Sequence, residues 1–137
     1  MNKIIGITLL ILSQISFADD AGQPLERASK AYLAGGAEAF IPALLKGSPL
    51  EGEKSVLTQS NTIRQIEAYY GAYQGFEVMY EKPLTNKVRL VYYVMNYEHS
   101  PLFGVATYYK RNNEEVVTNF NFHTELWQIV PNDVIFK

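Results

Sequence analysis

The sequence predicts an α+β fold in which N-terminal helices pack on a curved four-stranded antiparallel meander sheet. Three observations predict it. Apolar residues recur at helical spacing from Pro24 to Tyr70, and beyond Gly71 the period changes from 3.6 to 2, with β-branched and aromatic residues dominating. The stretches between the alternating runs are short turn signals, Pro83-Leu84-Thr85-Asn86, His99-Ser100-Pro101 and Asn112-Asn113. Such connections leave no room for crossover helices, so consecutive strands become antiparallel neighbours. Apolar content of 47% against 19% charged residues marks a chain that buries a core, and 137 residues suffice for one domain.

Residues 1–18 read as an address that precedes the domain. Lys3 supplies a positive start, Ile4 to Leu12 an apolar core of nine residues, and Ser16 and Ala18 the small residues of a cleavage site before Asp19. An apolar run this short covers about half of the roughly 20 residues a membrane-spanning helix needs. Cleavage between Ala18 and Asp19 would leave residues 19–137 as a single soluble domain, periplasmic or secreted, with no membrane attachment.

Pro24 suits the first turn of a helix, and Leu25, Ala28, Ala31 and Tyr32 carry the apolar spacing to the Gly35-Gly36 break. A second short helix follows through Phe40 and Leu44, with Pro42 confined to its first turn and Gly47 as its stop. Ser48-Pro49-Leu50-Glu51 has the spacing of a capping box, which predicts a helix start there. Gly52 interrupts, and the main helix resumes at Glu53. Val56, Ser60, Ile63, Glu67 and Tyr70 mark one line along it, with Leu57, Ile66 and Tyr69 alongside. This long helix is expected to lie across the sheet.

The strands are expected at 75–82, 87–98, 102–111 and 115–124. In the first, Phe76, Val78 and Tyr80 alternate with Glu77, Met79 and Glu81. The second sets Val88, Leu90, Tyr92 and Val94 against Arg89, Val91, Tyr93, Met95 and Tyr97. The third sets Phe103, Val105, Thr107 and Tyr109 against Leu102, Gly104, Ala106 and Tyr108. The fourth sets Val116, Thr118, Phe120 and Phe122 against Val117, Asn119, Asn121 and His123. The second and third strands are apolar on both faces. One face therefore packs on a helix, and the other needs a second subunit, the C-terminal segment or a bent sheet to cover it. Gly104 permits a bend or a close approach.

A helical first third ending in Tyr69-Tyr70-Gly71, then Tyr-rich strands with Pro101-Leu102-Phe103, Tyr108-Tyr109-Lys110 and Phe120-Asn121-Phe122, resembles small exported bacterial proteins of the NTF2-like (cystatin-like) superfamily. Pro49-Leu50-Glu51-Gly52 adds to the resemblance, which covers roughly residues 24–129. It implies a sheet wrapped on a helix with a pocket between them, in a superfamily that holds both enzymes and binding proteins. It transfers no function by itself.

The absence of Cys excludes disulfides, thiolate metal sites, covalent c-type haem and a lipid-anchored N-terminal cysteine. A net charge of −2 without a basic run lacks the footprint of a nucleic-acid binder. No nucleotide, serine-hydrolase or zinc-protease motif is present. His99 and His123 stand without companions at ligand spacing, so no metal, cofactor or catalytic residue is assigned. His123 reads as a pocket-rim or surface residue, and Trp127 as a pin for the C-terminal segment or a binding anchor. Tyr80, Tyr92, Tyr93, Tyr97, Tyr108 and Tyr109 are the ligand or interface candidates, because they project to both faces of adjacent strands. The expected role is non-catalytic binding of a small apolar ligand or a protein partner through this Tyr-rich sheet. Two alternatives stand beside it. One is an isomerase- or dehydratase-like site with a base among Glu77, Glu81, Glu98 and His123 and a donor at Tyr92 or Tyr108. The other is a homodimer joined sheet to sheet.

Overall fold

Pro24 opens α1 (Pro24–Gly35), where a helix needs no N–H donor, and Gly36 closes it at φ +91°, its N–H bonded to the Tyr32 carbonyl. The computed structural model describes residues 23–135; the expected signal segment and its Ala18–Asp19 junction lie outside the described residues. A 3₁₀ turn at Ala37–Ala39 leads into α2 (Phe40–Leu44), which places Pro42 in a first turn as its chemistry requires.

The capping-box residues do their bonding without a helix. The Ser48 hydroxyl accepts the Leu50 N–H at 3.0 Å, and Glu51 Oε2 accepts the Gly47 N–H at 2.8 Å. These bonds fold residues 47–52 into successive turns, and Gly52 at φ +80° takes a conformation no helix continues. The long helix α2 leads to is α3 (Lys54–Tyr70), ended by Gly71 at φ +84°.

Four strands follow, β1 (Tyr73–Pro83), β2 (Val88–Tyr97), β3 (Pro101–Arg111) and β4 (Glu114–His123), paired antiparallel in chain order as an open meander. A 3₁₀ turn at Leu126–Gln128 and a short α4 (Asn132–Ile135) complete the described chain. The fold is α+β.

Two expectations about side-chain direction are corrected by the register. In β1, Val78 pairs with Tyr93 and Tyr80 with Tyr92, so Met79 is an extra residue. That bulge sends Tyr80 to the face opposite Phe76 and Val78, and brings Glu81 round to join them. In β4, Val117 pairs with Tyr108 and Asn119 with Thr107, leaving Thr118 unmatched. Val117 therefore shares the core with Phe120 and Phe122, where strict alternation had placed Val116.

A third correction concerns the helix layer. It is α1 that lies against the sheet, while α3 packs mainly on α2 and the 3₁₀ turn before it. Val56, Ser60 and Ile63 of α3 are buried, yet Leu57 and Tyr69 stay 62% and 82% exposed. The inner layer holds Leu25, Ala28, Tyr32, Phe40, Ile41, Leu44 and Ile63 against Val91, Tyr93, Met95, Tyr97, Leu102, Ala106, Tyr108 and Val117. On the outer side of the sheet a smaller cluster joins Tyr92 to Ile129 and Val130, with Leu90, Phe103, Val105 and Leu126 around it. The C-terminal segment is thus one cover of the outer face.

Candidate functional site

The bulges and the pleat divide the strand tyrosines into two populations. Tyr93, Tyr97 and Tyr108 of the six candidates point inward with Tyr73 and are buried under α1. There Tyr32 stacks on Tyr73 with ring centroids 4.0 Å apart, and Tyr97 meets both rings edge-on. Four of the hydroxyls have partners, and that of Tyr93 has none. Ser29 Oγ lies 2.7 Å from the Tyr73 hydroxyl, and the Tyr108 hydroxyl accepts the Leu25 N–H at 3.2 Å. The Tyr32 hydroxyl donates to Glu67 Oε2 at 3.0 Å and lies 3.2 Å from the Tyr97 hydroxyl. Burial pushes the pKa values of Tyr32, Tyr73, Tyr93, Tyr97 and Tyr108 above the ordinary phenol range, so these groups stay protonated.

This inner cluster ties elements together. Glu67 of α3, Tyr32 of α1 and Tyr97 of β2 are joined through one phenol, and Leu25 at the start of α1 is held by Tyr108 of β3. An oxyanion donor has to offer its proton to a substrate oxygen. The Tyr32 proton is already given to Glu67, and the Tyr108 hydroxyl, which accepts from a backbone N–H, is buried beneath α1.

Glu81 and Arg89 form a second charged arrangement at the inner margin. Arg89 makes a bidentate contact with Glu115 at 2.7 Å for each bond, reaches Glu81 at 3.0 Å, and lies 4.8 Å from the Tyr108 ring centre. The Glu115 hydrogen bonds raise the Arg89 pKa against the opposing effect of burial. Glu81 is thus held in an ion pair at the sheet margin. Glu77 accepts from Asn96 Nδ2 at 3.2 Å on an exposed position, and Glu98 lies in the exposed turn with His99. None of the carboxylates considered as bases meets a tyrosine hydroxyl through a hydrogen bond.

The outer face carries the remaining candidates. Tyr80 and Tyr92 are neighbours across the β1–β2 pair with ring centres 6.2 Å apart. Tyr92 is nearly covered, whereas Tyr80 and Tyr109 stay 39% and 36% exposed. Burial raises the Tyr92 pKa, with smaller contributions from Asp133 and Tyr80. Leu126, Ile129 and Val130 make the apolar contact on this face, while Trp127 stands 52% exposed on the same segment. His123 is exposed, beside Asn119 and Asn121 in the alternation of β4, and its Nδ1 accepts the Glu125 N–H at 2.9 Å. This bond closes the turn after β4.

Two depressions lie beside α1. One of about 380 Å³ lies between α1 and β1, lined by Glu26, Ser29, Lys30, Gly75 and Phe76. Another of about 180 Å³ continues from it past Val78, Glu81 and Tyr108. Among the described residues no group of three His, Asp or Glu side chains is placed to hold a metal ion. The structural roles of Tyr32, Glu67 and Ser29 were not among the sequence candidates. Glu67 alone had a signal, as a carboxylate on the apolar line of α3. Comparison with family models, curated proteins and solved structures gives no match to this chain.

Proposed function

We propose that this chain is an exported, non-catalytic binding domain of NTF2-like form that engages a protein partner on the outer face of its sheet. One observation carries the reading. The tyrosines divide by face, and the inner ones are consumed in core contacts while Tyr80, Tyr109 and Trp127 remain accessible on or beside an apolar outer strip. Aromatic side chains with a polar tip supply contact area at small entropic cost, which suits them to an interface. Accessible aromatic side chains spread over a strand face suit a protein surface better than a small molecule, which is ordinarily buried over most of its area. The signal-like residues 1–18 support the exported location.

The test is site-specific photo-crosslinking in cells that produce the full chain. A crosslinking side chain at position 109 or 127 should yield the same discrete adduct, and one at position 69, exposed on the far side of α3, should yield none. Equal adducts from position 69, or none from either outer position, would overturn the proposal.

A further inference from the structure

We infer that two copies of this chain pair edge to edge through β1, antiparallel, about a two-fold axis between Met79 and Tyr80. The two edges of the sheet differ. The loop of residues 47–52 is tied to β4 at one point, with Ser48 Oγ donating to the Val117 carbonyl, and to the end of β3 by Arg111 Nη2 donating to the Gly47 carbonyl at 2.7 Å. Among the described residues, edge strand β1 pairs only with β2, and Val78, Met79 and Tyr80 form a consecutive apolar run there, 46%, 38% and 39% exposed. Apolar residues on an unpaired strand edge invite strand pairing.

The backbone directions fix which β1 groups are open. Leu84 N–H bonds to the Val88 carbonyl, so the even-numbered backbone groups of β2 face β1. Lys110 N–H bonds to the Lys87 carbonyl, so the odd-numbered groups face β3. In β1, Phe76, Val78 and Glu81 oppose the odd-numbered Met95, Tyr93 and Val91, and therefore turn their own N–H and C=O groups to the open edge.

One register then satisfies backbone, face and charge together. Setting Val78 opposite the partner's Glu81 joins two residues with edge-facing backbone and inward side chains. It also sets Glu77 opposite the partner's Lys82, twice by symmetry. Both of these side chains are on the outer side, since Glu77 pairs with Val94 and Lys82 with Leu90. They meet at a non-hydrogen-bonded position, where opposite side chains approach most closely. A slip of one residue either way would oppose an outward side chain to an inward one. The Met79 bulge makes this register symmetric, because each copy contributes the same extra residue at the axis.

Pro83 has no N–H, which ends the ladder beyond Phe76 on each side. The two-fold axis closes the β1 pairing on itself, so two copies complete that contact. The two outer faces would lie on the same side of one eight-stranded sheet. This inference rests on β1 alone and does not depend on the binding role.

Light scattering on the purified chain tests it. The expected result is twice the chain mass for the wild type. Glu77→Lys or Lys82→Glu alone should halve that mass at the same concentration, and the two together should restore it. A wild type of single-chain mass at every concentration overturns the inference, as does a dimer that neither single substitution affects. A double variant that stays single while its circular dichroism matches the wild type overturns it too.

Discussion

Among the described glycines, Gly104 is the most closely approached, by Tyr93. The two residues are cross-strand partners, and a Cβ on Gly104 would stand 2.2 Å from Tyr93 Cζ, well inside any tolerable contact. The absent side chain lets the phenol lie flat over β3, a close approach of the kind that favours glycine in a strand. Tyr93 is wholly buried, and its hydroxyl has no hydrogen-bond partner. Leaving a buried hydroxyl unsatisfied costs about 1–3 kcal/mol. Burying an aromatic ring returns about 1.5–3 kcal/mol, so the ring contribution is nearly cancelled by its own oxygen. Tyr93→Phe is therefore expected to raise stability by about 1 kcal/mol, read as a higher urea midpoint with an unchanged slope. Gly104→Ala is expected to lower it by about 1–3 kcal/mol through overpacking. A Tyr93→Phe variant less stable than the wild type would mean that the hydroxyl has a partner after all.

At the scale of elements, the turn of residues 47–52 shows how a helix-start signature can serve another purpose. Ser48 is buried, and its hydroxyl both accepts from Leu50 and donates to Val117 of β4. Ser48→Ala would leave the Leu50 N–H without its acceptor and the loop without its tie, at an expected cost of about 1–2 kcal/mol. Hydrogen exchange should then rise first along β4 and the loop, and an increase spread evenly over the sheet would contradict this assignment. Strands and turns were legible because a period of two and Asn, Pro and Gly signals are local. The ends of the two longer helices were legible for the same reason, with Gly36 and Gly71 as stops, whereas the start expected at Ser48 was a turn. The bulges at Met79 and Thr118 were not, since one extra residue leaves composition unchanged and is visible only against the neighbouring strand. The Met79 bulge changed the side taken by Tyr80, while plain alternation had already separated Tyr92 and Tyr109 from Tyr93, Tyr97 and Tyr108. Which helix covers the sheet was equally illegible, because α1 and α3 both present an apolar face.

At the scale of the whole molecule, the buried phenols link stability to alkaline pH. Six tyrosines, Tyr32, Tyr73, Tyr92, Tyr93, Tyr97 and Tyr108, have pKa values raised first of all by burial. In the unfolded chain they would lose protons near pH 10. Above that pH the unfolded state binds fewer protons than the folded one, so unfolding becomes easier as pH rises. The stabilisation is fully present below about pH 10 and is lost as pH climbs towards the folded-state values. For the wholly buried Tyr93 alone the loss is about 1.4 kcal/mol per pH unit in that window. Against a total stability of about 5–15 kcal/mol, several such groups acting together unfold the domain within a few units. Tyrosinate absorbance from these residues is expected to appear together with the loss of far-ultraviolet dichroism. Ionisation of all ten tyrosines with the dichroism intact would contradict the burial described.

The cover on the outer face also has a place in time. Leu126, Ile129 and Val130 follow every strand they shield, so Leu90, Tyr92, Phe103 and Val105 leave the ribosome long before their cover does. An incomplete chain halted before Leu126 could pair its strands but would display their apolar outer side. Such a chain is an aggregation-prone species in the unfinished state, and holding it apart until synthesis passes Val130 is a task for the cell's folding machinery.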